Sequence, residues 1–222
     1  MDGIPADPRT TPIGDTAPIV LASGSPRRSE ILTMLGLEFE IVRPDIDERP
    51  RGDEVPSAYV ERLAREKALH VAEMRADAVV IAGDTIVLLD GRMLHQPRDA
   101  KEAVSMIAAL SGRTHDVLSG IAVKVPERPI ASAWERTRVH FRDLDASEIE
   151  AYVETGEPMD KAGAYGIQGR GAALVEGVDG DYFNVVGLPV VAFTRLLASA
   201  GFAYRFGGPL IRTGEGPAME PR

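Results

Sequence analysis

The chain contains no cysteine among its 222 residues. This absence excludes disulfide-bonded scaffolds, zinc sites built on thiolates and thiol nucleophiles. A protein without disulfide bridges suits a reducing compartment, so we expect this one in the cytoplasm.

Long apolar runs are also missing, and none approaches the length that crosses a bilayer, so we expect no membrane partner. Residues 1–17 carry aspartates and prolines in place of the basic start and apolar middle of a secretory signal. We predict a disordered leader at residues 1–17, one domain at residues 18–206 and a flexible tail, rich in glycine and proline, at residues 207–222.

Positive charge is scarce, because 34 acidic residues outnumber 25 lysines and arginines and give a net charge of −9. A general nucleic-acid binder is normally basic, so we expect no nucleic-acid partner. A small anionic ligand stays compatible with this composition, because a few arginines and a metal ion neutralise it locally. The sequence does not decide the oligomeric state, and a homodimer stays open.

Several common catalytic signatures are absent. The chain has no Walker A loop, no G-x-G-x-x-G after its first strand, no G-x-S-x-G elbow and no H-E-x-x-H. The four histidines are scattered, which argues against a zinc site.

Hydrophobic periodicity predicts alternating strands and helices. Continuous apolar or β-branched stretches predict strands at residues 19–22, 39–42, 78–82, 86–89, 116–125 and 131–141. Apolar residues at three- and four-residue steps predict helices at residues 28–35, 56–74, 98–110 and 146–155, with a helix or strand–helix unit at 188–200. This mixture indicates an α/β fold with a mixed sheet.

The segment at residues 21–30 (LASGSPRRSE) reads as a strand, a tight loop and the start of a helix. Free backbone N–H groups and the positive end of the helix dipole favour anions at such a place. The guanidinium groups of Arg27 and Arg28 add bidentate donors for phosphate. The alternative is a turn that carries serine and glycine for geometry alone, beside two surface charges.

Two other segments bring polar groups into glycine-containing turns. Asp84, in Gly-Asp-Thr after a buried strand, offers a carboxylate for Mg²⁺ or for deprotonating water, or else a local cap. Residues 160–171 combine Lys161 and Gln168 with four glycines, which suits close approach to a ligand or a flexible hairpin.

Three further candidates are weaker. Lys67 and Arg65 lie two residues apart on a predicted helix, so one can point inward while the other is solvated. Glu48, in an acidic cluster after Pro44, is either a metal ligand or an exposed loop charge. A structural role is favoured for His115 over a catalytic one.

Taken together these segments resemble the Maf family of nucleoside triphosphate pyrophosphatases. The resemblance runs from about residue 19 to residue 197. The matching segments are 22–28 (ASGSPRR), 63–68 (LAREKA), 83–87 (GDTIV), 110–115 (LSGRTH), 156–169 (GEPMDKAGAYGIQG) and 186–189 (VGLP). It implies an elongated mixed sheet flanked by helices, with two lobes and a central cleft. It also implies cleavage of nucleoside triphosphates to monophosphate and pyrophosphate with Mg²⁺ or Mn²⁺, as in the removal of unwanted or modified nucleotides.

The resemblance also implies roles for individual residues. Asp84 matches the proton acceptor, and with Glu48 we expect it to hold the metal ion. Substrate binding is expected from Ser23, Arg27, Arg28, Lys67, Thr85, Lys161 and Gln168. Arg27, Thr85 and Gln168 match the positions that mark substrate choice.

The Gln168 pattern resembles the subgroup that acts on dTTP and UTP. One departure is Gln96, where relatives often carry a lysine before proline, so one phosphate-facing cation is missing here. Two alternatives stay open at this point: a pyrophosphatase for 7-methyl-GTP or another modified nucleotide, and a nucleotide-binding regulator of cell division without turnover.

Overall fold

The computed structural model describes residues 17–213, so residues 1–16 of the predicted leader and residues 214–222 of the predicted tail lie outside the described residues. The helices are α1 (Pro26–Met34), α2 (Pro56–Met74), α3 (Ala100–Leu110), α4 (Ala146–Glu154), α5 (Tyr182–Val186) and α6 (Val190–Ser199). The strands are β1 (Ile19–Ala22), β2 (Glu40–Ile41), β3 (Val79–Leu89), β4 (Arg92–Leu94), β5 (Thr114–Lys124), β6 (Ala131–Phe141), β7 (Val175–Asp179), β8 (Phe202–Ala203) and β9 (Ile211–Arg212). Short 3-10 turns lie at Glu157–Asp160, Ala162–Ala164 and Gly169–Leu174. Within this range no helix combines the length and the apolar character that crossing a membrane requires.

The main sheet has the strand order β2-β1-β3-β5-β6-β7, with β4 paired to the end of β3. Strand β1 runs parallel to β2 and β3, and the other neighbours are antiparallel. The predicted α/β fold with a mixed sheet is therefore confirmed.

Strand β3 differs from its prediction in one respect that matters for the site. Asp84 was expected at the end of a buried strand, but β3 continues through it without a break to Leu89. The reason is strand β5, which pairs with β3 in register from Val80 to Leu88. On its other edge β3 pairs with β1 only at residues 79–82 and with β4 only at residues 87–89. Within the described chain, residues 83–86 therefore have a neighbouring strand on one edge alone.

The two faces of β3 carry different cores. Even-numbered residues such as Val80 and Ile86 pack under α2, which covers this face. Odd-numbered residues divide between two clusters. Val79 and Ile81 belong to a core with α1 and α6, and Val87 belongs to a core with α3 and α4. The two predicted lobes are these two cores, and Thr85 lies where they meet.

The bounds of the long helices and strands agree closely with the sequence predictions, whereas several short elements were not predicted. The predictions of α2 at residues 56–74 and of β6 at residues 131–141 match the structure residue for residue. Strand β7 and helix α5 were not predicted. The fold also continues past the expected domain end at residue 206, because β9 pairs with β8 and Leu210 is buried in the first core.

Helix α2 lies unusually close to the sheet at Gly120 in β5. A Cβ atom built on Gly120 would come within 2.1 Å of the carbonyl oxygen of Val60 in α2. The missing side chain thus lets the helix backbone rest against the strand. Gly120 pairs directly with Asp84, so this contact also brings α2 over the candidate carboxylate.

We expect Gly120→Ala to lower the free energy of unfolding by about 2 kcal/mol or more, because the helix backbone must move away from the strand. Urea denaturation measures this change. Gly177→Ala in β7 is the matched control, since its added Cβ would lie 3.6 Å from the nearest atom, the Cδ2 of His140. Equal stabilities for the two variants would contradict the close-packing argument.

Candidate active site

A cleft of about 470 Å³ opens beside the unpaired edge of β3. Its volume lies in the range of small-molecule sites, roughly 300–1,000 Å³. The structure brings together in its lining all nine residues that the sequence analysis singled out for the site: Ser23, Arg27, Arg28, Glu48, Lys67, Asp84, Thr85, Lys161 and Gln168. They come from both lobes and from α2, so the fold rather than sequence proximity assembles them.

The first wall is the loop between β1 and α1. Pro26 begins the helix, and the residue before it, Ser25, has extended backbone without a side-chain cap. Pro26 has no N–H group, so the backbone N–H groups of Arg27 and Arg28, two residues of the cleft lining, are the ones left without a capping side chain. The hydroxyl of Ser23 accepts a hydrogen bond from the Ser25 N–H at 3.2 Å, which tightens the loop.

Arg28 is buried beneath this loop and held by three hydrogen bonds. Its Nε donates to the Gly187 carbonyl at 2.8 Å, Nη1 to the Ser23 hydroxyl at 2.9 Å and Nη2 to the Thr85 hydroxyl at 3.1 Å. Burial lowers the pKa of Arg28, and Asp84 opposes that change. An arginine stays charged nonetheless, and one N–H on each terminal nitrogen is left for a ligand.

Lys67 reaches the cleft from α2 and joins two carboxylates. Its ammonium lies 2.7 Å from Oδ1 of Asp84 and 2.8 Å from Oε1 of Glu48. The buried position of Lys67 shows that it is the inward member of the pair with Arg65, whose Nη1 donates to the Ser132 hydroxyl. The Glu48 carbonyl accepts a hydrogen bond from the Tyr59 hydroxyl at 2.9 Å, which fixes this loop over the cleft.

The convergence of Asp84 and Glu48 on one cation bears on the expected metal ion. Carboxylate oxygens are the ligands that Mg²⁺ and Mn²⁺ prefer. Across residues 17–213 no group of three or more acidic or histidine side chains is arranged to hold a metal. The donor set therefore fits an ion bound by two carboxylates that takes its other ligands from phosphate and water, as Mg²⁺ commonly does.

The opposite wall is built around Asp160, a residue of the segment 156–169 to which the sequence assigns no role of its own. Its carboxylate pairs with Lys161 at 2.6 Å and with Arg27 at 3.4 Å. Its carbonyl accepts hydrogen bonds from Arg27 and from the amide of Gln96, at 3.3 and 3.1 Å. Asp160 therefore links the α1 loop to the second lobe, and Gln96, which replaces the expected lysine, lies in this wall.

Two arginines that flank the Gln96 segment do not replace the missing cation. Arg92 and Arg98 line a separate hollow beside α3 rather than the cleft. Arg98 pairs there with Glu102 at 2.9 Å.

One end of the cleft, where the two cores meet, has a largely apolar lining. Its apolar lining comprises Val87, Val117, Tyr165, Ile167, Val185 and Val186. Thr85 lies between the two cores at this end, and Gln168, from the glycine-rich segment, is another polar residue of the cleft lining. Throughout the described residues, no protein group bonds the side-chain amide of Gln168, so both its donor and acceptor sides are available to a ligand.

His115 lies outside the cleft lining. Its Nε2 shares a 2.7 Å hydrogen bond with the Tyr165 hydroxyl, and its ring packs edge-on against Phe141. Burial lowers the pKa of His115 to about 4, so the ring is neutral at neutral pH. This environment supports the structural role.

Comparison with known proteins finds a matching family model and several similar proteins. A family model described as Maf-like protein matches residues 18–200, a range that contains every residue lining the cleft. The dTTP/UTP pyrophosphatase of Moorella thermoacetica is 54% identical over 82% of this chain and 95% of its own length. The dTTP/UTP pyrophosphatase of Pelotomaculum thermopropionicum is 49% identical over 83% and 97%, and that of Myxococcus xanthus is 50% identical over 84% and 94%. On this evidence the chain belongs to the Maf family.

Proposed function

We propose that this chain hydrolyses dTTP and UTP to the monophosphate and pyrophosphate, and so removes unwanted or modified nucleotides. The observation that carries the proposal is a single cleft that joins four cationic side chains, a neighbouring carboxylate and an apolar end. Relatives at about half identity that are named dTTP/UTP pyrophosphatase support the choice of nucleotides.

The triphosphate would bind at the cationic end. Arg28 offers its two unused N–H groups in a fork that matches phosphate oxygens, and the first N–H groups of α1 lie beside it. Arg27, Lys67 and Lys161 add positive charge from three directions. Interactions of this kind stabilise both the bound substrate and the pyrophosphate as it leaves.

Asp84 would orient and deprotonate the attacking water. The water oxygen forms a bond to the α-phosphorus while the bond from that phosphorus to the oxygen bridging the α- and β-phosphates breaks. Pyrophosphate leaves with the bridging oxygen, and the proton of the water passes to the carboxylate. Lys67, at 2.7 Å, holds the carboxylate in place.

A divalent cation belongs to this proposal as an expectation from the donor set. Asp84 and Glu48 would hold Mg²⁺ or Mn²⁺ together with phosphate oxygens. Such an ion supplies neutralisation of the negative charge on the triphosphate.

The base would occupy the apolar end, where its ring packs against valines and Tyr165. Uracil and thymine present two carbonyl oxygens on either side of an N–H group. The Gln168 amide has a donor and an acceptor side to match this edge. This amide and the Thr85 hydroxyl, both in the cleft lining, would together bind the edge of the base.

A panel of nucleotides with Mg²⁺ or Mn²⁺ tests the proposed function directly. We expect pyrophosphate release from dTTP and UTP well above that from CTP, GTP and 7-methyl-GTP. Preference for 7-methyl-GTP would assign the activity to a modified nucleotide instead. Release from none of them would leave a nucleotide-binding protein without turnover.

We expect Asp84→Asn to lower kcat for dTTP by about 10²–10⁴-fold, the usual effect of removing a positioned base, with little change in stability. Steady-state pyrophosphate release measures the rate, and thermal unfolding measures the stability. Asp116→Asn is the matched control, because Asp116 lies in the neighbouring strand β5 and pairs with Arg136 outside the cleft. An Asp84 variant that works at the parental rate would refute the assigned role.

We expect Gln168→Ala to raise the KM for dTTP by about tenfold, because the base loses its hydrogen bonds to the amide in both the ground and transition states. Inorganic triphosphate carries no base, so its inhibition constant should stay unchanged in this variant. A parallel loss of triphosphate binding would place Gln168 at the phosphates instead of the base.

A further inference from the structure

The Thr85 hydroxyl begins a chain of hydrogen bonds that leads from the cleft into the protein interior. Its Oγ1 lies 2.8 Å from the Oγ of Ser119, the residue directly opposite in strand β5. The Ser119 hydroxyl lies in turn 2.9 Å from the carbonyl oxygen of Asn184 in α5. On the cleft side, Nη2 of Arg28 lies 3.1 Å from Thr85 Oγ1. Four groups thus form one continuous chain of hydrogen bonds.

Only one arrangement of protons satisfies this chain. A carbonyl oxygen only accepts hydrogen bonds, so the Ser119 hydroxyl must donate its single proton to the Asn184 carbonyl. Ser119 then accepts the proton of Thr85, and Thr85 accepts from Arg28, since a guanidinium only donates. The Thr85 hydroxyl therefore has no proton left for the cleft, and one lone pair remains.

The far end of the chain is rigid. Asn184 is wholly buried, and its Nδ2 donates to the Val117 carbonyl and to the Thr137 hydroxyl, both at 3.0 Å. Ser119 and Thr137 are also fully buried. The carbonyl that receives the Ser119 proton is therefore fixed against the sheet and cannot follow a rotating hydroxyl.

The cleft end of the chain is open. Thr85 is partly exposed and lines the cleft. A Cβ atom at Gly187 would lie 3.6 Å from Thr85 Oγ1, so the glycine leaves the hydroxyl uncovered on that side. A ligand atom in the apolar end can thus reach the remaining lone pair.

We propose that Ser119 is a positioning residue for base selection, because it holds Thr85 as a pure hydrogen-bond acceptor toward the base. This inference rests on the proposed function and adds the group that decides between uracil and cytosine. The N3–H of uracil or thymine donates to such an acceptor. The N3 of cytosine carries a lone pair instead of a proton, so it meets an oxygen that has no proton to offer.

Gln168 is less suited to this decision on its own. No protein group among residues 17–213 holds its amide, which can turn over to present either its oxygen or its nitrogen. An amide that turns matches the edges of both uracil and cytosine. A hydroxyl whose proton is fixed by its neighbours does not have this freedom, so discrimination follows from Thr85 and its support.

The test compares the affinities of the α,β-methylene analogues of UTP and CTP, measured by calorimetry with Mg²⁺. We expect the chain to prefer the UTP analogue and Ser119→Ala to reduce that preference by about tenfold, the cost of one unpaired buried group. In the variant, the Thr85 hydroxyl is free to donate to N3 of cytosine. The gain should appear as tighter binding of the CTP analogue, an effect that mere loss of structure would not produce.

Thr85→Val and the double variant show whether Ser119 acts through Thr85. Without the hydroxyl at residue 85, Ser119→Ala should leave the ratio of the two affinities unchanged. Ser132→Ala is the matched control, because that serine bonds Arg65 and Glu61 outside the cleft. It should keep the parental ratio.

Three results would overturn the inference: no preference for the UTP analogue in the unaltered chain, an equal loss of both analogues in Ser119→Ala, or a further fall of the ratio when Ser119→Ala is added to Thr85→Val. The proposed hydrolysis is judged separately by pyrophosphate release from UTP. Selective binding without release would remove the proposed activity and keep the role of Ser119.

Discussion

The missing strand neighbour along residues 83–86 of β3 is the constraint on which the site depends. Strand β5 holds this stretch flat on one edge, while β1 and β4 stop short of it on the other. Because side chains alternate along a strand, consecutive residues there serve different purposes. Asp84 points toward α2 and the cations, and Thr85 points into the division between the two cores. A single uninterrupted strand thus places the carboxylate and the base-facing hydroxyl next to each other.

Elements with strong patterns were predictable from the sequence. Helix α2 follows from apolar residues that recur at three- and four-residue steps from Tyr59 to Val71, and β6 follows from its β-branched and aromatic content. Short elements such as β4 and β7 carry too few residues for a pattern and depend on their neighbours in the sheet. The predicted end of β3 was also wrong, because pairing with β5 extends the strand through Gly83, Asp84 and Thr85.

Nine residues of the cleft lining were predictable because each of them lies in, or close to, a segment with its own motif. The supporting residues were not. Ser119 interrupts the apolar stretch 117–123 of β5, and a hydroxyl at such a place indicates a buried polar contact without naming its partner. Asn184 offers no pattern of its own, since its importance arises from a carbonyl left free near the end of a short helix. Which buried polar groups meet is set by packing between elements distant in sequence.

The carboxylate of Asp160 has a consequence for how any anion enters the cleft. It already serves as the counter-ion of Arg27 and Lys161, on either side of the gap between the lobes. At these two cations an incoming polyphosphate must therefore displace a carboxylate of the chain. This displacement favours the binding of a ligand that carries several negative charges over the binding of a monophosphate. Of the two products, the monophosphate is then the weaker competitor for Arg27 and Lys161, and the Asp160 carboxylate replaces it more readily than it replaces the triphosphate.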